Sequence, residues 1–176
     1  MNKKQKGFSL IELLIVVAII LIIAAIAIPN LLRSRMAANE ASAVGSIRTM
    51  NTASISYNST YGNGFPVNLT QIGTTGTAAV SCNNAELIDS VLTLGVKSGY
   101  NFAILAGNGA AVAPAGCATP GSTDGYGVNA TPVAVGTTGQ RSFCSDASGV
   151  IRYDATGAAF AVANALCTAG TGVLGQ

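Results

Sequence analysis

The chain has 176 residues, of which 49% are hydrophobic and only 9% charged, with no histidine and no tryptophan. Nine basic against seven acidic side chains leave a net charge of +2. That excludes a broad basic surface for nucleic acid, and the missing imidazole removes the usual general base of hydrolytic triads.

The first six residues, Met1-Asn2-Lys3-Lys4-Gln5-Lys6, are polar and basic, and Gly7 follows. From Phe8 to Leu32 run 25 residues in which Glu12 is the sole charge, and the sixteen from Leu13 to Ile28 carry no charged or hydrogen-bonding side chain. At 1.5 Å rise per residue the segment is long enough for a bilayer core of about 30 Å. Lys3, Lys4 and Lys6 predict that its start stays cytoplasmic. A carboxylate at the centre of a membrane costs about 2.5–3.5 kcal/mol, so Glu12 calls for a positive partner and a task. Three readings compete. One is a plain anchor; another is a secretory signal cut at Ala25-Ile26-Ala27. The third is a cut after Gly7 that leaves the helix on the mature chain. Glu12 fits the first two poorly.

The string Lys6-Gly7-Phe8-Ser9-Leu10-Ile11-Glu12-Leu13, continued by an aliphatic run and Ala27-Ile28-Pro29-Asn30, resembles the prepilin-type N-terminus of type IV pilins and type II secretion pseudopilins. The likeness covers roughly residues 3 to 60. It implies a leader of residues 1–7, removed by a prepilin peptidase that cuts between Gly7 and Phe8 and then methylates the new amino group of Phe8. It implies that Glu12 neutralises the Phe8 ammonium of a neighbouring subunit in a fibre core, setting the stagger between helices. Pro29 would bend a continuous helix, having no amide proton and a ring that crowds the preceding turn. Residues 8–32 would form the membrane and fibre-core half of the helix, residues 33–61 an amphipathic half, and residues 62–176 a globular head. Without the leader, six basic face seven acidic side chains.

Beyond Pro29 the pattern stays helical. Ala43, Ile47, Met50, Ser54, Tyr57 and Tyr61 recur at spacings of four and three, one stripe for packing on a sheet. Tyr61-Gly62-Asn63-Gly64-Phe65-Pro66 then stops the helix. Residues 62 to 98 read as a connecting region, with a short helix over Asn84–Leu92 capped by Asn83 or Asn84. Strands are predicted at Tyr100–Ala106, at Tyr126–Val135, at Arg141–Ser145 and at Val150–Asp154. Pro132 suits an edge or a bend in the second of these, and Asp146-Ala147-Ser148-Gly149 makes a hairpin turn between the last two. Residues 107–124 form a loop pinned at Cys117, and a final strand is placed around Ala158–Val162. The fold class is therefore α+β, a long N-terminal helix on a small antiparallel sheet.

Cys82, Cys117, Cys144 and Cys167 show no Cys-x-x-Cys spacing of the kind metal sites use. Two disulfides in an oxidising compartment fit better. Of three connectivities, Cys82–Cys117 with Cys144–Cys167 is favoured, each closing a loop of about 20–35 residues. Asp124, Asp146 and Asp154 do not assemble a calcium ligand set, and Asp146 reads as a turn residue. Asn58, Asn68 and Asn129 open Asn-x-Ser/Thr triplets. No catalytic residue, metal or cofactor is expected.

The resemblance implies a structural subunit of a type IV pilus, with a pseudopilin of a type II secretion system as the alternative. Its partners would be copies of itself, the prepilin peptidase and methyltransferase, an inner-membrane assembly machinery, minor pilins and membrane lipid. It would sit in the inner membrane with its N-terminus cytoplasmic, then in an extracellular fibre serving adhesion, motility or DNA uptake.

Overall fold

A computed structural model describes residues 8–74, 76, 79–160, 162–163, 166–167 and 172–174. They fall into two compact units, divided between Arg35 and Met36. Helix α1 spans Leu10–Tyr61 with Pro29 inside it, so the helix does not end at the proline.

In the first unit, every described residue from Phe8 to Arg35 is exposed except the half-buried Ala24. The helix is long and apolar enough to cross a membrane, by length and composition.

In the second unit, α1 buries the predicted stripe. Ala43, Ile47, Met50, Ser54 and Tyr57 are fully buried, and Tyr61 packs at the margin of the core. The helix ends at Gly62, whose N–H makes the last helical bond to Asn58 O at 3.0 Å and whose φ of +59° turns the chain out of the helix in the left-handed conformation glycine tolerates. The core joins this stripe to Tyr100, Phe102, Tyr126, Val128 and Phe143.

Two short helices follow, α2 (Leu69–Ile72) and α3 (Ser90–Thr93), then strands β1 (Val96–Lys97), β2 (Tyr100–Ala106), β3 (Tyr126–Pro132), β4 (Ser142–Asp146), β5 (Ile151–Asp154), β6 (Val162–Ala163), β7 (Leu166–Cys167) and β8 (Gly172–Val173). One antiparallel sheet runs β1-β2-β3-β4-β5-β8, and β6 pairs with β7 alone. On β2 the alternation holds: Tyr100, Phe102 and Ile104 are buried, Asn101 and Ala103 exposed. Strand β4 is buried at every position. Phe143 belongs to the main core, while Cys144 packs with Phe160 and Cys167, so both sides of the strand are covered.

Four expectations change. The helix placed over Asn84–Leu92 is only Ser90–Thr93, capped by Asp89, whose carboxylate accepts the Leu92 N–H at 2.9 Å. Ahead of it the N–H groups of Ala85, Glu86, Leu87 and Ile88 donate to carbonyls of Gln71, Gly73 and Ile72. That pairing with the α2 segment pre-empts helical bonds. Strand β3 is internal, and Pro132 is its last residue, past the four positions that pair with β4. Strand β1 lay unseen in the connecting region; it meets β2 through Ser98-Gly99, both at positive φ, the geometry of a two-residue hairpin. Ala158–Phe160 is not a strand; β6 begins at Val162, and Ala161 lies outside the described residues.

Candidate assembly site in the N-terminal helix

Ser9 precedes the helix, and its carbonyl accepts the first helical bonds, from Glu12 N at 3.1 Å and Leu13 N at 3.3 Å. Glu12 lies three residues on and turns back: Ser9 N donates to Glu12 Oε2 at 2.9 Å. This is the glutamate half of a capping box, which satisfies an amide the helix cannot. A carboxylate at a helix start also meets the positive end of the helix dipole. The Ser-x-x-Glu spacing of residues 9–12 carries that signal in the sequence, beside the lone charge of Glu12. Glu12 thus sits within one turn of Phe8, which is 81% exposed. Residues 1–7, Gly7 among them, lie outside the described residues.

From Leu10 to Leu32 the helix presents leucine, isoleucine and valine on all sides, with exposures from 45% at Val17 to 80% at Leu10. A helix apolar all round belongs in a core or a membrane, and an apolar surface of that extent marks association. Pro29 supplies no N–H, which removes the bond that would go to the Ala25 carbonyl. One turn on, Ser34 Oγ bonds back to the Asn30 carbonyl at 2.9 Å.

In the second unit a half-buried ion pair ties α1 to the residue that precedes β4. Arg141 Nε and Nη2 donate to Glu40 Oε2 at 2.8 and 2.7 Å, and Glu40 Oε1 accepts the N–H groups of Gln140 and Arg141 at 2.9 and 3.1 Å. The guanidinium also lies over the rings of Phe143 and Tyr153, 5.5 and 5.4 Å from their centroids. Burial pushes the Glu40 carboxyl up. The Gln140 N–H and the Arg141 guanidinium and N–H outweigh it and hold the carboxyl below its ordinary range. Glu40 extends the buried stripe one step back from Ala43. A lone acid in that place is the one signal for this clamp that the sequence carries.

Asp146 is the turn residue expected. Its Oδ1 accepts from the N–H and hydroxyl of Ser148, and its Oδ2 from Cys167 N at 3.4 Å. Burial raises its pKa, and these bonds, led by the Ser148 hydroxyl, bring it below the usual value. Cys82 joins Cys117 and Cys144 joins Cys167, with Cα separations of 5.5 and 6.0 Å, the pairing favoured from spacing. No group of three or more metal-ligating side chains occurs among the described residues. Of the Asn-x-Ser/Thr triplets, Asn68 caps α2 through its side chain and Asn129 lies inside β3.

The chain matches the family model described as the prokaryotic N-terminal methylation motif over residues 2–28. It is 63% identical over 38 residues, 22% of this chain, to the type IV wide pilus major component PilA4 of Thermus thermophilus. It is 45% identical over 56 residues, 32% of this chain, to the type IV major pilin protein PilA of Myxococcus xanthus. These matches span 29% and 26% of the two relatives' own lengths. No solved structure matches the chain significantly. The N-terminal part of the chain is thus similar to that of type IV pilins, and the likeness covers a minor part of the chain.

Proposed function

We propose that this chain is a structural subunit that polymerises through the apolar half of α1 into a type IV pilus. The observation that carries the reading is a single helix exposed at nearly every position from Phe8 to Arg35 and opened by the methylation motif. In this reading, a peptidase removes residues 1–7 and Phe8 is methylated. The inner membrane stores the helix, N-terminus inward, until the assembly machinery extracts it. Copies then pack their helices together, and apolar burial provides most of the cohesion. The Glu12 carboxylate, held one turn from its own N-terminus, meets the Phe8 ammonium of the adjoining copy and fixes the stagger. The second unit covers the outside of the fibre. A pseudopilin would share the N-terminal half of this argument and differ in what it builds.

Glu12→Ala tests it. Electron microscopy of material sheared from cells making the wild type is expected to show long filaments containing this chain. The variant is expected to insert in the membrane at wild-type levels and yield few or none. Equal filament yield from the variant contradicts the role of Glu12. Wild-type chain found only in membranes or in short periplasmic assemblies favours the pseudopilin.

A further inference from the structure

Beyond Glu12, the next charged side chains of α1 are Arg33 and Arg35. Both are exposed, and neither joins an ion pair among the described residues. The nearest carboxylate along the chain, Glu40, is already held by Arg141. Between the charges lie twenty uncharged residues, Leu13–Leu32. In an α-helix that length is about 30 Å, the thickness of a bilayer's hydrocarbon core. Glu12 and the arginines therefore bracket one hydrocarbon layer, with the carboxylate at one boundary rather than at the centre.

Arg33 and Arg35 are two residues apart. Their side chains leave the helix about 200° apart in rotation and about 3 Å apart in height. A protein partner on one face meets one of them. A layer of headgroups surrounding the helix meets both at a single depth. A guanidinium also matches the geometry of phosphate, to which it donates two parallel hydrogen bonds.

Resting on the membrane-stored form described above, we propose that Arg33 and Arg35 form a collar that binds phospholipid phosphates at the outer boundary of the membrane, fixing the depth of the helix before assembly. Each arginine adds to the attraction for an anionic surface. Leaving the membrane then requires release of this collar.

The chain's lack of tryptophan makes Leu32→Trp a clean depth reporter. The full chain carrying it is placed in phosphatidylcholine vesicles containing phosphatidylglycerol, and depth is read from quenching by brominated lipids. Contact is read by solid-state NMR as dephasing of 13C-labelled guanidinium by lipid 31P. The Arg33→Gln/Arg35→Gln variant retains Arg48, Arg141 and Arg152 as an internal reference. We expect dephasing that drops in this variant, with the reporter moving inward by about 3 Å or more, two residues of helical rise. Arg33→Lys/Arg35→Lys is expected to keep the reporter near its original depth. Equal dephasing with an unmoved reporter overturns the collar while leaving the fibre reading intact. Cross-linking of Arg33 or Arg35 to a carboxylate of a second copy, without phosphate contact, overturns it in favour of a protein partner. No quenching at any depth overturns both the collar and the membrane-stored form.

Discussion

Ile22 and Ile47 lie on the same helix and are chemically identical, yet one is 64% exposed and the other fully buried. The stretch around Ile22 is apolar on every side, so no face can turn toward its own sheet without leaving another uncovered. The stretch around Ile47 gathers Ile47, Met50 and Tyr57 on one stripe that is fully buried in the core, with Ile55 left exposed off it. Where apolarity has a direction, the chain folds on itself; where it has none, the helix is suited to a partner outside the chain. The division between the two stretches falls between Arg35 and Met36.

Truncation exposes the difference most strongly. Ile47→Ala is expected to destabilise the second unit by about 2–5 kcal/mol, the range for a large-to-small change in a packed core. Ile22→Ala is expected to shift it by under about 0.5 kcal/mol. Thermal or denaturant unfolding of the full chain in detergent, followed by near-ultraviolet tyrosine dichroism, measures both. Comparable losses would mean that the two halves of the helix are not energetically distinct.

Replacing Cys144 and Cys167 together by serine is expected to cost about 3 kcal/mol in the same measurement, given the 23-residue separation the bond closes. Membrane insertion should be unaffected.

The Glu40 clamp predicts a pH dependence confined to the second unit. Its folded pKa is depressed relative to the ordinary value of 4.5. Its contribution is therefore present above pH 4.5 and is lost as pH falls from there through the lower folded value. Glu40→Gln is expected to be less stable by about 2 kcal/mol near neutrality, the scale of a charge-assisted hydrogen bond. The gap should narrow as the pH falls below 4.5 and through the lower folded value. A gap that stays constant into acid would show that charge plays no part in the clamp. Smaller than the Glu40 effect, Asn68→Ala removes the side chain that accepts Gln71 N at 3.0 Å and is expected to cost about 1 kcal/mol.

Much of this was written in local pattern. The stripe from Ala43 to Tyr57, the alternation of Tyr100, Phe102 and Ile104, and the Asp146–Gly149 turn each rest on neighbours in sequence, and periodicity reports those. The segment at 85–88 was illegible because its amides are taken by carbonyls some fourteen residues earlier, and no local propensity encodes such pairing. Strand β1 was missed because two residues are too few to show a period. Its signal lies in the Ser98-Gly99 turn instead. At the candidate assembly site, Glu12 stands out as a lone charge, but its bond to Ser9 is legible only through the capping spacing. Glu40 and Arg141, 101 positions apart, become a pair only in the fold. Glu40 alone hinted at it, by standing on a stripe where an unpartnered acid would be costly.

The claim on which the account depends is that the apolar half of α1 is processed at its start and then buried among copies of itself. Mass spectrometry of the N-terminal peptide from purified extracellular filaments tests this most directly. The account predicts a peptide that begins at Phe8 and carries one added methyl group. A chain that begins at Met1, or at Ile28 after loss of the apolar segment, would contradict it.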